Sequence, residues 1–509
     1  MADLRELAQR IRRLPWIRFG AGVVAGIGAL TVTYLLRILG LGIFLPEVAL
    51  DFVITRIPGS IESLFIGTMG EGAKIFGLLT AIVVILSLFG FGATGYRRIQ
   101  RYLRPRWAVI AVVTAATAAA ILLVALPLLG AGLVGSETRA GTWGAAFSQG
   151  VGAWLYAAIL DYFLVDIAAR HPQGFSLSRR QFIAATLLAV GGTALAFYGL
   201  GSFVARPARL AFASVAEMFA KEVTSNDEFY TVTKNLIDPD VDANTWRLAI
   251  DGLVSNPRSY SYDELLVRAS VEEFVTLECV SNEVGGNLIS TAKWEGIPLL
   301  ELLDDAGVQA AADWVAFTCA DGYTVGVPLA KALNPTTLMA LRMNGLLLST
   351  KHGFPARIVV PGLYGMFDAK WLTKITLVQG EFLGFWQQKG WTNRGSIRAT
   401  AIIATPRPDS VVGPTVTIGG VAFAGDRGIS RVEVSTDAGL TWRETTLKTP
   451  ALSGMTWVLW TYDWTPAGSG AYQVRARAYD GSGLGQERER NPPFPDGSSG
   501  YDAITLLVR

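Results

Sequence analysis

Apolar and polar positions are distributed unevenly along this chain. Nearly all long apolar runs lie before residue 205, in stretches near 19–44, 72–95, 107–130, 144–168 and 181–203. Each approaches or exceeds the ~20 apolar residues that a bilayer-spanning helix needs. The pattern predicts an all-α transmembrane bundle of about five helices over residues 1–204. Between the first two stretches, Pro46 to Met69 is apolar but interrupted by Asp51, Arg56, Pro58 and Glu62. Such a segment reads as interfacial or re-entrant rather than as a span.

Beyond residue 205 the period changes. Trp246 to Val254 and Ala356 to Gly362 read as strands, and Tyr262 to Arg268 and Leu299 to Ala306 as short helices, which makes residues 205–404 an α+β domain. After Thr405, apolar and polar residues alternate with turn signals at short intervals, as in PTVTIGGVAFAG, GISRVEVSTDAG and AYQVRARAYDGSG. That spacing predicts an all-β, immunoglobulin-like sandwich over 405–509.

Composition sharpens this division. Hydrophobic residues make up 51% and charged residues 17%, with a mean hydropathy of +0.36, which argues against disorder and for membrane-embedded segments. A net charge of +2 offers no basic field for nucleic acid. Two cysteines and two histidines exclude a disulfide scaffold, a four-thiolate iron–sulfur centre and a multi-histidine metal or haem cluster.

Arginines cluster on alternate sides of the expected spans: residues 5–18, 97–106, and 170–180. By the positive-inside tendency these segments are cytoplasmic, which places residues 205–509 outside the cytoplasm of a prokaryotic cell. The last cluster, Ser178-Arg179-Arg180-Gln181-Phe182-Ile183, precedes an apolar run. It resembles a twin-arginine export signal placed internally, and it also reads as ordinary topology-setting arginines. Within the spans Asp161 is the deepest charge, and topology argues against a level pair with Arg37; Asp166 can pair with Arg170 one turn on. Gly20, Ala25, Gly26 and Ala29 favour close helix packing. With sparse intramembrane polar groups and no evident inverted repeat, a transporter is disfavoured.

The chemistry concentrates in two runs. In TLECVSNEVGGNLIS, Cys279 follows a strand and precedes Gly285 and Gly286, glycines that let backbone approach a ligand closely. In KHGFPARIVVPGLYGMFDAKW, His352 precedes Arg357 and Lys370. One thiolate and several cationic groups suit a bulky anionic cofactor. Taken alone, Cys279 is more often a buried structural thiol and His352 a structural hydrogen-bonder. Cys319 reads as a core thiol.

At these residues, and over roughly 222–509, the chain resembles the sulfite oxidase family of molybdopterin enzymes. The resemblance implies a molybdenum–molybdopterin cofactor with Cys279 as metal ligand. It implies cofactor contacts from Asn226, Phe229 and Tyr230 in SNDEFY, from Asp321 in FTCADGY, and from His352, Arg357, Asp368, Ala369 and Lys370. It also implies homodimerisation through the C-terminal domain. A soft thiolate complements the dithiolene sulfurs, and Arg and Lys neutralise the phosphate.

Three departures bear on substrate. Where sulfite-oxidising members of that family place Arg, Arg and Tyr, this chain is read as carrying Ser225, Glu283 and Trp391, and Phe367 stands where a basic residue is common. Fewer positive charges and an added carboxylate disfavour a small dianion, so Glu283 and Trp391 join Cys279 as candidate catalytic residues. No C-x-x-C-H haem motif occurs, so electrons are expected to pass to or from a separate partner at the membrane. The expectation is a membrane-anchored, extracytoplasmic oxidoreductase performing two-electron oxygen-atom transfer on a sulfoxide or other oxo-compound. A sulfite dehydrogenase, or an adaptor that kept the fold without the activity, is the alternative.

Overall fold

Gly22 and Gly26 on the helix Pro15–Ile38 show how the apolar half assembles. A Cβ on Gly22 would stand 2.6 Å from the Phe89 carbonyl oxygen, and one on Gly26 would stand 2.9 Å from the Phe89 ring. Only glycine lets the helix Gly72–Thr94 approach this closely. Ala25 and Ala29 are buried at the same seam, whereas Gly20, expected there too, faces open space. The structure, a computed structural model, describes residues 15–61, 65, 72–103, 105–138, 140–167, 209–235 and 238–509. The chain divides into two compact units, residues 1–56 with 71–205 and residues 57–70 with 206–509.

Among the described residues of the first unit, three helices are long and apolar enough to cross a membrane: Arg18–Ile38, Gly72–Tyr102 and Arg106–Leu128. These suggest membrane association. The fourth expected stretch is covered by the helix Gly141–Asp161. The fifth, with the Arg179-Arg180 pair and Arg170, lies outside the described residues. Leu45–Arg56 forms a separate helix. Asp161 does have a partner, but one that the sequence did not suggest: Arg106 donates to it through Nε at 3.0 Å and Nη2 at 2.5 Å, and Tyr96 also donates to it. Arg37 pairs instead with Glu47 at 2.8 Å.

The second unit is strand-rich. Its first sheet holds β1 (Arg247–Gly252), β2 (Arg258–Ser261), β5 (Trp314–Cys319), β6 (Thr324–Pro328) and β10 (Leu372–Val378) in the order β2-β1-β10-β5-β6. Within this sheet β1 and β10 run parallel and the other described pairs antiparallel. A second, antiparallel sheet orders β3 (Val271–Glu278), β4 (Ile289–Pro298), β7 (Leu338–Met343) and β8 (Leu346–Leu347), with β9 (Arg357–Val359) added on β7. The helix Tyr262–Arg268 begins with a capping box, Ser261 and Glu264 bonding each other's backbone, which stabilises its start by about 1 kcal/mol. The helix Leu299–Ala306 buries Leu299, Leu302, Leu303 and Ala306 on one face and ends on left-handed Gly307, a conformation that costs glycine little.

The C-terminal region forms two sheets. One orders β11 (Thr400–Thr405), β13 (Val416–Phe423), β16 (Thr446–Leu447) and β17 (Val458–Trp464) as β11-β13-β17-β16. The other orders β12 (Val411–Val412), β14 (Ile429–Ser435), β15 (Arg443–Glu444), β18 (Gly470–Asp480) and β19 (Asp502–Val508) as β12-β19-β18-β14-β15. Ile418, Val432, Trp460, Val474 and Leu506 form the core of this region. The outward face of β11–β13–β17 is not solvent: Ile402, Val421 and Leu459 belong to one apolar cluster with Leu248, Phe317 and Ile375 of the α+β part. The two parts share a core.

Candidate active site

β3 ends at Glu278, so Cys279 is the first residue of the turn returning to β4. Its backbone N–H donates to the Leu288 carbonyl at 2.9 Å, and Asn282 N–H donates to the Cys279 carbonyl at 2.9 Å. The Asn282 side chain accepts from Leu288 N–H and donates to Glu278, each at 3.0 Å. The thiol opens into a pocket, with Sγ 3.0 Å from the Ser281 hydroxyl. Burial pushes the thiol pKa up, against the opposing effect of Ser281. Burial likewise pushes Glu278 up to about 7.

The opposite contribution comes from the run between Lys351 and Trp371. His352, Arg357, Asp368 and Lys370 all line the same pocket, together with Phe229 and Tyr230 from the chain before β1. Burial pulls His352 down to about 4, and its Nε2 lies 2.6 Å from the Asn226 carbonyl. Arg357 is buried; Nη1 donates to the His352 carbonyl at 3.3 Å and Nη2 to the Asp368 carbonyl at 3.4 Å. Burial pushes Asp368 up to about 7, opposed by Arg357 and by Val360 N–H, which donates to its carboxylate at 2.7 Å. Lys370 donates to the Lys351 carbonyl at 3.1 Å and lies 4.3 Å from the Trp371 ring centre.

The sequence-predicted residues thus divide into three groups. Cys279, Phe229, Tyr230, Asp321, His352, Arg357, Asp368, Lys370 and Trp391 line one pocket. Asn226 and Ala369 stand behind that lining: Asn226 supports His352, and the Ala369 carbonyl accepts from Ile358 N–H at 2.9 Å. Ser225 and Glu283 are not in it. Ser225 is exposed and donates to Glu228; Glu283 is raised by burial, with Arg490 opposing. Both expected charge replacements therefore lie outside the lining of this pocket, and Trp391, which stands for a Tyr, lies within it. Phe367 is fully buried core, and Cys319 is a buried core thiol as expected. The glycine pair also has a different reason from the one expected: a Cβ on Gly285 would strike the Arg209 guanidinium, and one on Gly286 the Asn282 side chain.

The sequence reading missed Lys234, Tyr323, Met366 and Trp386, which also line the pocket. Lys234 and Asp321 form a buried pair at 3.8 Å, and Lys234 donates to the Asp321 carbonyl at 2.9 Å. Asn235 and the Tyr323 backbone N–H donate to the two Asp321 carboxylate oxygens at 2.8 and 2.9 Å. Two of the missed residues stand close in sequence to expected site residues, Tyr323 beside Asp321 in FTCADGY and Trp386 before Trp391 in WQQKGW. Trp391 packs edge-on to Phe494, with ring centres 5.1 Å apart.

Three buried polar atoms on residues lining the pocket have no protein partner: Arg357 Nε, Asp368 Oδ2 and Trp391 Nε1. Buried polar groups are ordinarily satisfied, so these valences, beside one soft donor and several cations, fit an anionic cofactor with polar edges. The pocket's residues suit a molybdopterin-binding oxidoreductase domain. A model of the oxidoreductase molybdopterin binding domain matches residues 235–386, and one of the Mo-co oxidoreductase dimerisation domain matches 394–490. The chain is 33% identical to mouse mitochondrial sulfite oxidase over 271 residues, 44% of this chain and 49% of that protein. It is 32% identical to the Bacillus subtilis uncharacterized oxidoreductase YuiH over 154 residues, 30% of this chain and 76% of that protein. The solved sulfane dehydrogenase SoxCD of Paracoccus pantotrophus shares the fold, with a TM-score of 0.50 at 24% identity, covering 56% of this chain and 80% of that one. The chain belongs to the sulfite oxidase family of molybdopterin-dependent oxidoreductases, and its cofactor is molybdenum–molybdopterin. It spans about half the length of the mammalian relatives it matches.

Proposed function

We propose that this chain is a membrane-anchored oxidoreductase that exchanges an oxygen atom with a sulfoxide or similar oxo-compound. The observation that carries the reading is one pocket holding Cys279, the His352–Lys370 run and Trp391. When bound, the cofactor supplies two-electron oxygen-atom chemistry. Cys279 would provide the protein's thiolate to the metal, a ligand that must be deprotonated to bind, whereas burial alone pushes the free thiol pKa up. Arg357 and Lys370 would hold the cofactor's anionic groups, and His352, braced by the Asn226 carbonyl, would help to orient it. Reduction of a sulfoxide consumes two electrons and two protons and releases a thioether and water.

Substrate choice rests on the pocket wall. Tyr323, Trp371, Trp386 and Trp391 make it aromatic, and indole faces suit an uncharged organic oxide. Three of its four cations have protein partners, Lys234 with Asp321, Lys351 with Asp227 at 3.5 Å, and Lys370 with the Lys351 carbonyl, and the fourth, Arg357, keeps Nε open for the cofactor. Sulfite oxidation is the second reading, favoured by the names of the animal relatives.

The anchoring reading adds that the helical half holds the catalytic half outside a prokaryotic cytoplasm, with the Arg179-Arg180 pair as its export signal. It adds an electron partner at the membrane and a homodimer through the immunoglobulin-like C-terminal sandwich. Metal and pterin analysis of purified protein, followed by a screen of sulfoxides, N-oxides and sulfite with an artificial electron carrier, tests the activity. About one molybdenum per chain and preferential sulfoxide or N-oxide turnover are expected; efficient turnover of micromolar sulfite would select the second reading. Protease added to intact spheroplasts should digest the catalytic half, and full protection would reverse the topology.

A further inference from the structure

We propose that the Arg209–Asp502 ion pair is a clamp that positions the Cys279 turn, making the C-terminal sheet domain part of the metal site's support. The inference rests on the reading of Cys279 as metal ligand.

The turn from Cys279 to Gly286 has an inner and an outer half. The inner half is tied locally through Asn282. The outer half ends on Gly285, at φ +81°, where a Cβ would overlap the Arg209 guanidinium and stand 2.8 Å from Asp502 Oδ1. Glycine is thus required there by its conformation and by the ion pair against which it rests. The backbone is joined as well: Arg209 bridges Gly286 in an antiparallel pairing, and Leu210 N–H donates to the Gly285 carbonyl at 3.1 Å.

Arg209 reaches Asp502 with both terminal nitrogens, Nη1 at 2.8 Å and Nη2 on the other oxygen, and Nη2 also donates to the Ile403 carbonyl at 3.0 Å. Ile403 N–H returns a bond to Asp502 at 2.8 Å. Asp502 opens β19, and Ile403 lies in β11, so the fork closes on one strand from each sheet of the C-terminal domain. A second tether comes from the same domain, since the Ser498 hydroxyl donates to the Asn282 carbonyl at 2.7 Å. Asp502 is buried. Buried ion pairs add little net stability compared with apolar packing, and their best-attested use is to select one geometry. A bidentate guanidinium–carboxylate fork is the directional form of that pair. What it fixes here is the Gly285–Gly286 part of the turn whose first residue bears the thiol.

The test uses the full chain with Arg209→Gln, Asp502→Asn or Arg209→Lys. Hydrogen–deuterium exchange at the Asn282, Gly286 and Leu288 amides should rise about tenfold or more in the first two variants, because local opening is no longer opposed by the clamp. Molybdenum content should stay near wild type while the Mo(V) paramagnetic resonance signature shifts. Turnover should then fall about 10- to 100-fold with KM changed less than about twofold, as small misplacements of reacting groups do. Arg209→Lys keeps the charge without the fork and should fall between. If Arg209→Gln does not fold, the other two variants carry the same comparison. Variants that lose thermal stability alone, with wild-type exchange in the turn and an unchanged resonance signature, would overturn the clamp. A resonance signature that Cys279→Ser leaves unchanged would instead remove the ligand reading, and the exchange measurements would still decide whether the clamp holds the turn.

Discussion

The Cys279 turn and the run from Lys351 to Trp371 line the same pocket, but they are organised in opposite ways. On the turn, Asn282 and the Leu288 backbone bond one another and Ser281 meets the thiol, which leaves Glu278 Oε2 at the end of β3 as the unpartnered buried atom beside them. On the run, Arg357 Nε and Asp368 Oδ2 are buried without partners, and a neutral imidazole sits among cations. The turn fixes one soft donor in place; the run keeps polar valences open and suffers the desolvation that goes with it. On the proposed reading, the turn would present a thiolate to the metal and the run would hold the cofactor's anionic groups, and such a site needs both.

The comparison breaks most completely at the thiol. Cys279→Ser should reduce turnover to the assay floor, because a hard alkoxide donor changes the metal's electronics, while pterin content, set by the other wall, should remain measurable by pterin fluorescence. Loss of pterin together with turnover would mean that the two walls are not separable. A smaller effect is expected on the cationic side. Arg357→Met removes charge-assisted contacts worth ~1.5–3 kcal/mol each and should lower cofactor occupancy about tenfold or more. Arg357→Lys, which keeps the charge, should lose less in the same assay.

Within the run, pH separates His352 from Asp368. Burial holds His352 at about 4, below its ordinary 6.5. Stability from keeping the ring neutral is therefore complete above pH 6.5 and lost as pH falls toward 4. Asp368 is held at about 7, above its ordinary 3.8, so its sign is reversed: stability is highest at acid pH and declines as pH rises toward 7. In cofactor-free protein, His352→Gln should raise the melting temperature relative to wild type chiefly at the acid end, and Asp368→Asn chiefly near neutrality. Parallel shifts at every pH would show that neither group titrates as its burial demands. The smallest effect is assigned to Ser225→Arg. Exposed substitutions away from special contacts change stability by about 0.5 kcal/mol or less, and turnover and sulfite affinity should stay within about twofold.

Much of this was legible in one dimension. Length and apolarity marked the helical half, period-2 alternation marked the C-terminal strands, and the helices Tyr262–Arg268 and Leu299–Ala306 fell where capping residues and apolar spacing place them. These are local properties, set by neighbours a few residues apart. The Cys279 and His352–Lys370 motifs were legible for the same reason, since each is contiguous.

What only the tertiary structure decided are relations across long sequence separations. Arg106 rather than a residue of its own helix meets Asp161, 55 positions away; Lys234 meets Asp321, 87 positions away; Arg209 meets Asp502, 293 positions away. Ser225 and Glu283 show the converse, since proximity in sequence to site residues did not bring them into the pocket. The side a residue faces depends on how strands and turns pack, and burial then sets its charge state. Gly285 joins the two levels: its residue type was visible in the sequence, but the reason for it, a guanidinium and a carboxylate arriving from distant parts of the chain, appears only when the chain is folded.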